Sequence, residues 1–274
     1  MITDSTHLTN LLKHSFAFDI SYYNVSFLNK SLQKRITETH CNSVEEYGSF
    51  MQKNKEEAKV LIDSLQISYS EFFRNPVTFA VLERIILPSL ILKKKNTRHK
   101  QIRIWSAACA AGQESYSLAI LLDELLATDA NKLNYRIFAT DQSEELIREA
   151  QRGNYSSTAL NNLNLKRLNQ GFSIQGDTYS IKPELKKNID FSTFDLFSKK
   201  LSSPPTSIFG DFDLVICANL LFYYKSKYQK KILEKTASCL VKGGYIIVGE
   251  AERDILMKHH YHEVFPQSGI FQKI

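Results

Sequence analysis

The chain predicts an α/β fold: a doubly wound, mostly parallel sheet that follows an N-terminal helical domain and carries a small inserted β-subdomain. Three observations predict it. Up to about residue 92, apolar residues recur at helical spacings. From residue 101, short β-branched and aromatic runs alternate with segments of helical period. Between Gly153 and Lys187 that alternation breaks into polar, Asn-rich sequence. Of 274 residues, 43% are hydrophobic and 23% charged, which excludes a mainly disordered chain and leaves ample material for a core.

The elements follow in order. Val25, Leu28, Leu32 and Ile36 lie three and four apart, with Lys30, Lys34 and Arg35 on other faces, so the helices begin near Tyr22 and run to about Ser64. Asn42 or Ser43 caps a second helix whose first turn holds Glu45 and Glu46. A third runs from about Lys55 to Leu65, and an apolar helix from Val77 to Leu92. Residues 93–100 carry five cations and no anion, and read as an exposed basic linker between a helical domain over 1–92 and a sheet domain over 101–274. Strands are expected at Arg103–Ala107, Tyr135–Thr140, Ile189–Ser192, Phe212–Cys217, Tyr245–Gly249 and Gly269–Ile274. Helices are expected at Glu114–Leu126, Ser143–Gln151 and Lys227–Leu240, with a hairpin turn at Gly176-Asp177 inside the insertion at about 153–187.

Composition narrows the setting. No apolar run reaches the roughly 18 residues of a membrane span, so no membrane insertion is expected. Met1 to Thr9 is polar and shows no secretory pattern. Cys41, Cys109, Cys217 and Cys239 are widely spaced without a CxxC pair, which argues against a disulfide framework or zinc site and for a cytoplasmic location. The net charge is +6, with 14 basic against 10 acidic residues up to Lys100 and 21 against 19 beyond. Charge alone does not choose between a nucleic acid and an acidic protein partner.

Chemistry concentrates at strand ends. Trp105-Ser-Ala-Ala-Cys-Ala-Ala-Gly-Gln-Glu114 is a strand running through a small-residue turn into a helix. Small side chains there let a ligand approach the backbone at the carboxyl edge of the sheet, where such folds bind ligands. The same residues also make a well-packed tight turn, and the GxGxxG dinucleotide pattern is incomplete. Asp141 ends the second strand, placed either to accept from ribose hydroxyls or to cap the next helix, a role Ser143 can fill. Asp195 follows the third strand and suits an adenine amino group. The fourth strand ends in Cys217-Ala-Asn-Leu-Leu-Phe-Tyr223, with Asn219 near a reacting group and Tyr223 able to orient a substrate oxygen. Gly243-Gly244 stops a helix before a buried strand and an acidic exit loop, Gly249-Glu-Ala-Glu252. His259, His260 and His262 lack an acid or Cys pattern to complete a metal site.

Taken with Phe72-Phe-Arg-Asn-Pro76, these blocks resemble, in order and spacing, the CheR-type chemoreceptor glutamate O-methyltransferases. The resemblance starts near Phe18 and runs almost to the C-terminus. It implies a Rossmann-like class I methyltransferase sheet, S-adenosyl-L-methionine as cofactor, S-adenosyl-L-homocysteine as product, and glutamate side chains of methyl-accepting chemoreceptor cytoplasmic domains as substrate. Ser68, Ser70, Arg74, Glu114, Asp141, Asp195, Leu196, Ala218 and Asn219 match cofactor-contacting positions of the family. The 153–187 insertion matches a β-subdomain that docks on the receptor tail in some relatives.

Two positions depart from the family. Gln113 stands where an acid is usual, and Ala218 where an arginine is usual. A glutamate carboxylate is already ionised at neutral pH, so its methylation needs no general base. Arg74 and Tyr223 are therefore expected to hold the carboxylate oxygens, in a monomer that needs no nucleic acid. The alternatives are a related methyltransferase with another substrate and a non-catalytic cofactor-binding signalling module.

Overall fold

Leu8 and Leu12 lie one helical turn apart, and both are buried in the first helix, α1 (Thr6–Phe16). The structure, a computed structural model, describes residues 6–66, 69–97, 100–127 and 133–272. The chain forms two compact units, one of Met1–Ile67 with Phe222–Gln229, the other of Ser68–Leu221 with Lys230–Ile274.

In the first unit, α1 is followed by a 3-10 turn (Ile20–Tyr22), α2 (Val25–Glu38), α3 (Val44–Lys53) and α4 (Lys55–Leu65). The α1 helix was missed because its polar residues masked a short apolar stripe. Leu28, Leu32 and Ile36 are the buried face of α2, as the spacing predicts. Ser43 caps α3, its hydroxyl accepting from Glu46 N at 3.1 Å. The cations on the other faces of α2 are not all free, and Lys34 lies 3.9 Å from Glu38. Lys30 and Lys34 are exposed, but Arg35 donates two hydrogen bonds to buried Glu57 at 2.8 and 2.7 Å. The Tyr47 hydroxyl donates to the same carboxylate at 2.7 Å. Arg35 thus neutralises a buried acid instead of offering its charge outward.

The second unit starts earlier than residue 92. Residues 76–95 form α5 (Pro76–Val81), a π-helical turn (Leu82–Ile86) and α6 (Leu87–Lys95). Phe79, Leu82, Ile86, Leu87 and Leu90 belong to the same buried cluster as sheet residues Ile102, Ile104 and Ile137. The basic run is correspondingly not all linker. Lys93 to Lys95 close α6, and the Lys94 ammonium lies 2.9 Å from Asp213.

The sheet strands are β1 (Gln101–Ala107), β2 (Asn134–Asp141), β6 (Ile189–Thr193), β7 (Phe212–Ile216), β8 (Leu240–Ile247), β9 (His262–Glu263) and β10 (Ile270–Gln272), in spatial order β6-β2-β1-β7-β8-β10-β9. The first five are parallel, whereas β10 pairs antiparallel with both β8 and β9. The helices α7 (Gln113–Leu126), α8 (Glu144–Arg152), α11 (Ser226–Ser238) and α12 (Arg253–Lys258) complete the alternation. The sheet order reverses at β1, so β1 and β7 flank the switch point at which ligands bind.

The insertion contains β3 (Asn154–Ser156), α9 (Leu165–Gly171), β4 (Phe172–Gln175), β5 (Thr178–Ile181) and α10 (Pro183–Lys186). Its three strands make a separate antiparallel sheet, β3-β5-β4, with the hairpin turn at Gly176-Asp177. No helix of the described residues is long and apolar enough to cross a membrane.

Candidate active site

Four non-glycine residues in the loops at the sheet's carboxyl edge or just before α5 take left-handed φ: Phe73 (50°), Ala108 (69°), Ala110 (47°) and Asn219 (60°). Each such conformation costs of order 1–3 kcal/mol and persists only where neighbours enforce it. Three of the four enforcing contacts are visible. Phe73 N donates to Ser117 Oγ at 3.0 Å, Ala110 N to Asp141 Oδ2 at 3.0 Å, and Asn219 N to Glu252 Oε2 at 2.7 Å. Left-handed residues occur elsewhere too, at Ala17, His40, Asp211, His260 and Gln267, so it is the contacts holding Phe73, Ala110 and Asn219 that point to a built site.

The β1–α7 turn is an open cradle. Gly112 has φ 91°, and a Cβ there would lie 2.9 Å from the Ala150 methyl group, so only glycine fits. Cys109 N donates to Thr140 O at 2.8 Å, which ties the turn to the end of β2. Glu114 stands in the first turn of α7, its Oε1 accepting from Ser106 Oγ at 2.7 Å. Burial pushes its pKa up to about 7, with the Ser106 hydrogen bond and the Arg74 charge opposing. Gln113, the first family departure, is buried, and its Oε1 has no hydrogen-bond partner among the described residues. It borders a cavity of about 460 Å³ shared with Glu149, Arg152 and Tyr155.

Asp141 accepts from backbone, Oδ2 from Ala110 N and Oδ1 from Ser143 N at 2.9 Å, with the Gln142 N–H also directed at the carboxylate. A carboxylate offers about four acceptor positions, so capacity for a ribose hydroxyl remains. The cap of α8 is Ser143, which accepts from Leu146 N at 3.3 Å. Asp195 is exposed beyond β6, accepting from Phe197 N at 2.7 Å, with Leu196 half-buried beside it in the chain. Ala218 and Asn219 are half-buried after β7.

Arg74 donates to Tyr69 O at 3.2 Å and lies 5.1 Å from the centre of the Tyr69 ring. The inserted subdomain holds its loop: Asn162 Nδ2 donates to Phe72 O at 3.1 Å, and Arg167 lies 4.6 Å over the Phe73 ring. Ser70 is half-buried in the same segment, while Ser68 lies outside the described residues. Tyr223 belongs to the first unit, where its carbonyl accepts from Asn24 N at 2.7 Å and its ring packs 4.8 Å from Phe27. The second unit carries Ser70, Arg74, Glu114, Asp141, Asp195, Leu196, Ala218 and Asn219, and the first carries Tyr223.

The sequence reading left Ser106, Ser117 and Glu252 without a role. The first two are small hydroxyls inside apolar runs, with no local signal. Glu252 sits in the acidic exit loop Gly249-Glu-Ala-Glu252, where nothing local marks it as the buried one of the two acids. Among the described residues no three His, Cys, Asp or Glu side chains gather as a metal site.

The donor set fits a cationic nucleoside cofactor. Acids stand at two adjacent strand ends, the turn between them bears only small side chains, and Arg74 supplies a cation close enough to act on Glu114. Comparison with known proteins agrees. Residues 68–270 match the SAM-binding domain of the CheR methyltransferases, and residues 4–65 match their all-alpha domain. The chain is similar to a chemotaxis protein methyltransferase of Listeria innocua, 30% identical over 253 residues, covering 91% of this chain and 90% of that protein. It is also similar to one of Borreliella burgdorferi, 30% identical with 90% and 87% covered. A third, chemotaxis protein methyltransferase 1 of Pseudomonas aeruginosa, is 31% identical with 78% and 77% covered. With both domains matched over nearly its whole length, the chain belongs to the CheR methyltransferase family.

Proposed function

We propose that this protein methylates glutamate side chains on the cytoplasmic domain of bacterial chemoreceptors, acting as a cytoplasmic monomer. The observation that carries the choice of acceptor is the match of both domains to the CheR methyltransferases over nearly the whole chain; the loops at the sheet's carboxyl edge, with no histidine in 69–76, 107–114, 139–143, 193–197 or 217–221, are in keeping with it. An alcohol or amine acceptor needs a base to remove its proton. A carboxylate, with an ordinary pKa near 4.3, does not.

S-adenosylmethionine, when bound, supplies an electrophilic methyl group on a positively charged sulfur. The chain's own residues then have three tasks. Asp141 and Asp195 accept hydrogen bonds from the nucleoside, Asp141 through the acceptor position its backbone contacts leave open. Glu114, together with Ser70, Ala218 and Asn219, holds the amino-acid end, and an ionised Glu114 stabilises the positive charge there. Arg74 and Tyr223 orient the substrate carboxylate, Arg74 by charge and Tyr223 by its hydroxyl. Holding two reactants in this way supplies roughly 7–11 kcal/mol of a barrier, so no further chemistry is asked of the protein.

For the partner, Lys30 and Lys34 on the exposed face of α2 suit an acidic helical surface, with Arg35 withdrawn into its pair with Glu57. The subdomain sheet β3-β5-β4 gives a second docking element. Ala218, in place of the usual arginine, removes one cation from the site and leaves Arg74 as the principal charge for the carboxylate. Incubation of receptor fragments with methyl-tritiated cofactor tests the proposal. Label that mild alkali releases as methanol supports a carboxyl ester, and alkali-stable label assigns the methyl group to another acceptor.

A further inference from the structure

Glu252 is 0% exposed, and among the described residues no lysine or arginine is paired with it. Burying a carboxylate costs several kcal/mol unless donors compensate, and here the donors are all backbone. Oε2 accepts from Asn219 N at 2.7 Å and Gly249 N at 2.8 Å, and Oε1 accepts from Leu221 N at 2.5 Å. Two of these donors belong to the loop after β7, and the third to the turn after β8. A second grip lies alongside: a Cβ built at Gly249 would stand 2.8 Å from Asn219 Oδ1 and 3.1 Å from Asn219 N. The bare Gly249 backbone is thus the surface on which the left-handed Asn219 rests.

An apolar residue at position 252 would fill the same volume without the cost of burying a charge. What the acid alone provides is acceptors for the loop amides of Asn219, Leu221 and Gly249. We propose that Glu252 is a positioning residue, whose carboxylate holds Asn219 in its left-handed conformation at the cofactor edge and acts on methyl transfer only through Asn219. This rests on the assignment of Asn219 to the cofactor site.

Glu252→Gln tests it, because it keeps the shape and replaces one accepting oxygen by a donor that faces a backbone N–H. The expected result is a roughly tenfold rise in the Kd of S-adenosylmethionine, matched by a similar rise for S-adenosylhomocysteine, with turnover reduced. A rise confined to the cationic cofactor would mean that Glu252 acts directly by charge, and would overturn the proposal. So would a lowered Tm with both Kd values unchanged at a temperature well below the transition, since that is a purely structural role. In a cycle with Asn219→Ala, the Glu252→Gln effect on Kd should vanish, and additive effects contradict it. If Asn219→Ala alone leaves both Kd values unchanged, Asn219 is not in the site and the proposal falls with that assignment. Should Glu252→Gln fail to fold, amide exchange of the unaltered protein decides. Protected Asn219, Leu221 and Gly249 amides support the clamp, and rapidly exchanging ones refute it.

Discussion

Lowering the pH should loosen cofactor binding through one group, Glu114. Burial raises its pKa to about 7 against an ordinary 4.5, with Ser106 and Arg74 pulling the other way. A cationic ligand prefers the ionised carboxylate, so binding must deprotonate Glu114 whenever it is protonated. With a pKa near 7, about 9% of the free protein is ionised at pH 6 and about 91% at pH 8. The association constant of S-adenosylmethionine should therefore rise about tenfold over that interval, equivalent to ~1.4 kcal/mol. At pH 7, where half the sites carry the proton, binding should release about half a proton. Calorimetry in two buffers of different ionisation enthalpy reads the proton count, and the titrations give the affinities. Glu114→Gln is the control. It shares every other titrating group, including the ammonium of the cofactor and Asp141, so its slope subtracts them. A flat profile for the unaltered protein, or an equal slope in Glu114→Gln, would refute the assignment.

Three substitutions extend the account. Tyr223→Phe should lower turnover about tenfold or more, the loss of one hydrogen bond to a charged group, while calorimetric cofactor affinity changes little; equal losses in both would remove Tyr223 from the substrate carboxylate. Gly249→Ala should force Asn219 out of place, costing about 1–3 kcal/mol of stability and most cofactor affinity, and a bound affinity within twofold of normal would contradict the packing described. Arg167→Ala leaves Glu83 and Glu124 facing each other without the cation 2.9 and 3.0 Å away. Glu83 is 40% exposed and Lys166 still lies 3.7 Å from Glu124, so the loss is about 1 kcal/mol, read as a Tm lower by roughly 2–4 °C, and turnover should fall with it because Arg167 no longer lies over the Phe73 ring.

The sheet was legible because its signals are local. Buried strands such as Phe212–Ile216 are short β-branched and aromatic runs, and α7 and α8 begin directly after small-residue or capping positions. The antiparallel β10 was legible as a strand but not in direction, because direction depends on the path of the chain between β8 and β10 and leaves no periodicity. Residues 93–95 misled for a related reason. Three lysines in a row look solvated, yet a helix turns each through about 100°, and Lys94 comes round onto Asp213. Arg35 shows the same limit, since nothing near it in the sequence points to Glu57, 22 residues away.

At the site, the strand-end acids were legible because their positions follow from the strands themselves. The residues that hold the loops were not. Ser117 reaches Phe73 across 44 residues and Glu252 reaches Asn219 across 33, and each is an ordinary residue of a helix or turn until the fold closes. The left-handed φ at Ala108 and Ala110 was equally hidden, since alanine does not announce it as glycine does.

Mass spectrometry of chemoreceptor cytoplasmic fragments, after incubation with this protein and S-adenosylmethionine, tests the central claim most directly. The account predicts 14 Da additions (about one methylene, flagged by loss in mild base) on glutamate residues of the receptor helices, abolished by substitution of those glutamates. Cofactor binding confirmed on the same sample, with no addition or with base-stable methylation at another residue type, would contradict it.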